Sequence, residues 1–168
     1  MEKILLAIDP LNPSTNALDF ACYLGKLTRS KITGVFLENL VTNEKFNNQH
    51  VHAGGDAGWE ADEYPETLKK RLTLIENHVN FFQEGCIARE VSCKVHRDTG
   101  VPALELMKES RFADVMVVDA DTSFDKSEAG VPSEFIRNIL KKSECPVIIA
   151  PEKFESVEEI VFTYNGTA

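Results

Sequence analysis

Positive charge is what this chain is short of: 18 lysines and arginines stand against 27 aspartates and glutamates, a formal net charge of -9 over 168 residues. Such a field repels phosphate backbones and anionic headgroups, so neither nucleic acid nor a membrane surface is an expected partner. Long apolar runs are missing as well. The opening MEKILLAIDP is too brief in its apolar stretch for a signal peptide or a bilayer span, and a cytoplasmic location is expected. Cysteine is sparse: Cys22, Cys86, Cys93 and Cys145 form no C-x-x-C pair and sit in apolar runs, the pattern of reduced core thiols rather than of disulfides or zinc ligands. Neither a G-x-S-x-G elbow nor a G-x-x-x-x-G-K-[ST] loop occurs, which removes two common routes to catalysis on an α/β scaffold.

What is present is alternation. KILLAID (3–9) is a near-continuous apolar run ending in Asp9, as a parallel strand buried on both faces requires. After the PLNP turn, Ser14 can cap a helix that places Ala17, Ala21, Leu24 and Leu27 on one face and ends near Arg29. KITGVFLE (31–38) returns to strand chemistry. Residues 39–64 are polar, glycine-bearing and without period, and connections of that length are lids or disordered segments. From Pro65 to about Gly85 the steps Leu68, Leu72, Ile75, Val79 and Phe82 make an amphipathic helix. REVSCKVHRD (89–98) alternates Val91, Cys93 and Val95 inward, suiting a strand near a sheet edge. A helix after Pro102, a strand from Ala113 to Val118, a helix over 132–142 and a strand from Pro146 to Ala150 complete five βα repeats. The expected fold is α/β: a doubly wound, Rossmann-like, five-stranded parallel sheet flanked by helices, spanning residues 1–151. The segment 152–168 reads as a charged linker and an extra C-terminal strand, IVFTYNGTA, which echoes the chain's own start. It either pairs with a sheet edge or opens a truncated second repeat.

Ligands of open parallel sheets bind at the carboxyl ends of the strands, which directs attention to Asp9 and to the loop beginning at Asp119. Other constellations carry less. His50-Val51-His52 with Asp56 has metal-ligand types but too few placed donors, and His78 and His96 have no nucleophile beside them in sequence. Asp9, Asp98 and Lys153 lack the paired acids of a phosphoryl-accepting site. The run Asp119, Asp121, Asp125 lacks the glycine and closing glutamate of a calcium loop. Trp59 is a candidate anchor for the long loop.

The segments ILLAID, DTGVPALELMKESRFADVMVVD and GVPSEFIRNILKKSECPVIIAP together resemble the universal stress protein family over about residues 1–150. The resemblance implies the adenine nucleotide alpha-hydrolase-like sheet, a role in the stress response, and a homodimer or tandem-domain pair joined through the last strands. In one branch of that family it also implies ATP binding with magnesium. There Asp9 would contact the nucleoside and Leu37 would lie beside adenine. A run of glycines ending near Gly130, followed by a serine or threonine, would cradle phosphates at a helix N-terminus. This chain instead carries Asp119 and Thr122 at the first two glycine positions and Val131 after Gly130, while Ser133 opens the last helix. The resemblance therefore implies a non-catalytic regulatory module with Asp9, Leu37, Asp119, Gly130 and Ser133 as candidate nucleotide contacts. ATP binding with slow hydrolysis, or a protein-interaction scaffold, stands as the alternative.

Overall fold

The computed structural model describes residues 1–37, 66–98, 100–122, 132–154, 156–159 and 161. Within them run β1 (Lys3–Ile8), α1 (Thr15–Thr28), β2 (Lys31–Leu37), α2 (Glu66–Ala88), β3 (Cys93–Asp98), α3 (Pro102–Ser110), β4 (Val115–Asp119), α4 (Glu134–Lys142) and β5 (Val147–Ala150). All strand pairs are parallel, in the order β3-β2-β1-β4-β5. The doubly wound sheet expected from the alternation is thus observed. The loop 39–64, with its His50, His52 and Trp59, lies outside the described residues, as do Gly130 and nearly all of the expected C-terminal strand.

Because strand side chains alternate faces, each central strand serves two cores at once. Ile4, Leu6, Ile8, Ile32, Phe36, Val115 and Val117 meet α1 and α2. Leu5, Ala7, Val35, Leu37, Met116 and Val118 meet α3 and α4. This two-sided burial is why β1 and β4 read as unbroken apolar runs. By contrast β3, at the edge, keeps Cys93 and Val95 only partly buried.

Local chemistry sets the helix ends. Ser14 accepts from the Ala17 N–H, and Arg29 closes α1 in the left-handed region at φ 55°, where the Ser30 N–H reaches the Gly25 carbonyl at 2.9 Å. Ser133 caps α4, whose first turn holds Glu134 and whose last holds Lys141 and Lys142, matching the helix dipole. One expectation needs correcting. The α1 face is centred on Ala21, with Leu18, Phe20 and Cys22 fully inside, while Leu27 is 68% exposed. Leu27 lies about 20° of helical arc beyond Phe20, outside the buried stripe. Phe20 is covered by a residue that the sequence placed in a charged linker: Phe154 meets Phe20 and Tyr23 edge-on, with ring centroids 5.1 and 4.7 Å apart. The Asn16 amide donates to the Glu152 carbonyl beside it.

Candidate functional site

Strand order reverses between β1 and β4, so the crevice at their carboxyl ends is the topological switch point of this sheet. Two aspartates finish those two strands, and they are built alike. Asp9 follows β1, and its Oδ1 accepts from the Leu11 N–H at 2.9 Å while its carbonyl accepts from Asn12 at 3.2 Å. Asp119 ends β4, and its Oδ1 accepts from the Asp121 N–H at 2.9 Å while its carbonyl accepts from Thr122 at 3.2 Å. Both are Asx turns, in which the short carboxylate bonds the backbone two residues on and turns the chain away from the strand. One oxygen of each carboxylate is used in this way. Among the described residues no hydrogen bond reaches the other.

A narrow cleft opens beside Asp9, with an enclosed volume of only about 20 Å³ and the rest of its space open to solvent. Leu6, Ala7 and Ile8 form its floor, Asn12 to Ser14 with Ala17 and Leu18 one wall, Phe81 and Phe82 of α2 the other, and Thr122 its far rim. The aromatic wall is held in two ways. His78 Nδ1 lies 2.8 Å from the Pro10 carbonyl, and since a carbonyl can only accept, Nδ1 carries the proton and ties α2 to the post-β1 turn. Gly34 of β2 lets the Phe82 ring rest on the sheet, since a Cβ there would stand 2.7 Å from the ring's Cζ.

Ser133 lies behind Thr122. Its buried hydroxyl donates to the Thr122 carbonyl and accepts from the Ile136 N–H at 3.2 Å, and its own N–H reaches the Ala120 carbonyl at 3.2 Å. The two ends of the 123–131 connection are thereby pinned to each other, and the hydroxyl's single proton is committed to Thr122.

Of the five expected site residues, the structure brings Asp9 to the cleft, while Asp119 and Ser133 do not line it and are each hydrogen-bonded to Thr122, which does. Leu37 is buried among Leu5, Val35 and the α3–α4 layer, on the opposite face of the sheet from the α1–α2 wall. Gly130 lies outside the described residues. Sequence reasoning missed Asn12, Thr122, Phe81, Phe82 and His78. The available signals were the PLNP turn for Asn12 and, for Thr122, its place in the loop after Asp119, whereas Phe81, Phe82 and His78 come from a helix remote in sequence. Among the described residues no group of three or more His, Cys, Asp or Glu side chains is placed to hold a metal ion. None of the described helices is long and apolar enough to cross a membrane.

This arrangement of parallel strands, flanking helices and switch-point crevice recurs in solved structures. A universal stress protein from Archaeoglobus fulgidus matches with a TM-score of 0.60 at 14% identity, over 90% of this chain and 94% of that one. The fold is that of the universal stress proteins. A family protein from Arabidopsis thaliana, solved with AMP bound, matches with a TM-score of 0.58 at 17% identity, over 89% of this chain and 90% of that one. The Archaeoglobus fulgidus protein in complex with dAMP matches with a TM-score of 0.57 at 13% identity, over 90% of this chain and 98% of that one. No family model matches the sequence, and no curated protein matches it either. At such identities the universal stress protein likeness lies in backbone and topology.

Proposed function

We propose that this chain is a universal-stress-protein-type regulatory module of the cytoplasm that binds an adenine nucleotide at the β1–β4 switch point without turning it over. The observation that carries the reading is the Asp9 carboxylate, half free, beside a cleft at the switch point of a fold whose solved examples include proteins with AMP and dAMP bound. An acid ending a buried central strand has no packing role there. It is suited to accept from nucleoside hydroxyl or amine donors.

Phosphate chemistry sets the preference within that class. Asp119 brings a second carboxylate to the adjacent strand end, and the Ser133 proton is already given to Thr122. Like charge at close range penalises a triphosphate most. The reading therefore favours a nucleoside or monophosphate over ATP. It assigns Asp9 to the nucleoside, Asp119 to discrimination against polyphosphate, Ser133 to loop closure and Leu37 to packing.

Isothermal titration of adenosine, AMP and magnesium-ATP tests this, with the nucleotide analysed afterwards. Binding of AMP tighter than ATP, lost in Asp9→Ala and relaxed toward ATP in Asp119→Gly, supports the reading. Unchanged affinity in Asp9→Ala removes it, and steady conversion of ATP replaces it with the slow-hydrolysis alternative.

A partner reading has its own support. Among the described residues β5 pairs on one side only, with β4, and its Ile149 is 37% exposed, so a second copy or a tandem domain can join at that edge. Sedimentation that gives a monomer at every accessible concentration would reject self-association.

A further inference from the structure

Each of the two strand-end aspartates leans on one peptide group, and each of those peptides is also gripped from outside its turn. After β4 the Asp121 N–H donates to Asp119 Oδ1, while the carbonyl of the same peptide, that of Ala120, accepts from the Ser133 N–H at 3.2 Å. After β1 the Leu11 N–H donates to Asp9 Oδ1, while the carbonyl of that peptide, that of Pro10, accepts from His78 Nδ1 at 2.8 Å. Backbone does in one turn what a side chain of α2 does in the other. A peptide is planar, so its N–H and its carbonyl oxygen rotate together. Holding the Pro10 oxygen therefore holds the Leu11 N–H, and with it the carboxylate that the N–H engages. We propose that His78 is a positioning residue for Asp9, acting through the Pro10–Leu11 peptide to fix the carboxylate rotamer that leaves Oδ2 unbonded beside the cleft.

Packing alone does not call for histidine at this position. Its neighbours on α2, Ile75, Val79 and Phe82, are buried and apolar, and an apolar side chain at 78 would leave the Pro10 carbonyl without its donor. Among the described residues no other donor reaches that oxygen. Proline has no N–H, so residue 10 cannot be anchored from its nitrogen side either. Donation to the carbonyl also polarises the amide, which makes the Leu11 N–H a stronger donor to Asp9. His78 stands one helical turn before Phe81 and Phe82, so the stretch of α2 that orients the acid also supplies the aromatic wall of the same cleft. One hydrogen bond thus sets the acid and the wall relative to each other. Its effect on a ligand rests on the nucleotide reading above, whereas the positioning of Asp9 does not.

Two substitutions in the full chain separate positioning from packing. His78→Leu fills the space and removes the donor. His78→Asn keeps one, because the asparagine Nδ2 stands as many bonds from the backbone as the histidine Nδ1. Three-bond NMR couplings from the Asp9 backbone to its Cγ, measured without ligand, report the carboxylate rotamer. A single rotamer is expected in the wild type and in His78→Asn, with averaged couplings and faster Leu11 amide exchange in His78→Leu. Long-range nitrogen–proton spectra of the wild type, which need no variant, should place the proton of the neutral His78 ring on Nδ1. AMP affinity should fall about tenfold in His78→Leu, the factor one hydrogen bond is worth, and largely return in His78→Asn. Circular dichroism of each variant confirms that its fold is intact. An unchanged Asp9 rotamer in His78→Leu, a ring proton on Nε2, or a loss in His78→Asn equal to that in His78→Leu would each overturn the proposal, as would wild-type AMP affinity in His78→Leu. If the wild type binds no AMP, the nucleotide reading falls, and the rotamer, exchange and ring-proton results still decide the positioning.

Discussion

Replacing Gly34 by alanine probes how the cleft wall is built. The glycine sits in the middle of β2, where strand chemistry disfavours it, and its absent side chain is the space in which Phe82 lies. An added Cβ would stand 2.7, 2.9 and 3.0 Å from three atoms of the Phe82 ring. That ring cannot retreat freely, because it is 2% exposed and packs edge-on against Phe36 with centroids 5.9 Å apart. Overpacking of this kind costs about 1–3 kcal/mol. Against it stands about 0.5–1 kcal/mol recovered when a strand glycine becomes alanine. The net expectation is about 1–2 kcal/mol of destabilisation, or about 2–8 °C in Tm for a domain of this size. Urea unfolding of Gly34→Ala, Phe82→Leu and the double variant measures it. Because the clash is with the ring, the alanine should cost far less in the Phe82→Leu background, with a coupling of about 1 kcal/mol or more. A neutral or stabilising Gly34→Ala, or the same cost in both backgrounds, would refute the reasoning.

Ser133→Ala removes the α4 cap and leaves the Thr122 carbonyl without its donor. It should cost about 2–3 kcal/mol in urea unfolding, the sum of a lost cap and a lost buried hydrogen bond. Arg29→Gly relieves a left-handed residue at an exposed helix end and should stabilise by about 1 kcal/mol, read as a higher Tm. The Asp114 carboxylate accepts from the Lys3 and Glu2 N–H groups, at 2.9 and 2.7 Å, and these two bonds hold its carboxyl below the usual range. Because the folded state holds the proton less tightly than the unfolded chain, this contribution is fully present above the ordinary aspartate range and is lost as pH falls through the folded value. An NMR titration in which Asp114 takes up its proton at the ordinary aspartate pH would contradict that anchor between the starts of β1 and β4.

The sheet was legible because burial on both faces leaves a simple trace. β1 and β4 can hold only apolar side chains, and the helices between them repeat with a helical period. Edge strand β3 was also legible, since Cys93 and Val95 alternate with exposed Lys94 and half-exposed His96. What sequence could not give is contact between elements far apart in the chain. Phe154 lies in a run of charge, and nothing local says that it covers Phe20. Gly34 reads as a flaw in a strand until Phe82, 48 positions later, fills the space above it. The site was half legible for the same reason. Asp9 and Asp119 announce themselves as acids that end buried strands, whereas the aromatic wall belongs to a helix whose Ile75 and Val79 are core and whose Leu72 and Leu74 are exposed, so nothing local marks Phe81 and Phe82 as a wall. Leu37 entered through the family likeness alone, and its burial on the α3–α4 face is what its place in an apolar strand would have suggested unaided.

The central claim is that an adenine nucleotide occupies the cleft where β1 and β4 end. The most direct measurement is a heteronuclear NMR titration of the assigned protein with AMP. Shifts confined to Asp9 through Ala17, Phe81, Phe82 and the Asp119–Thr122 turn, saturating at one equivalent, are what this account predicts. No shifts at all, or shifts clustered on α3 and the outer face of α4, would contradict it.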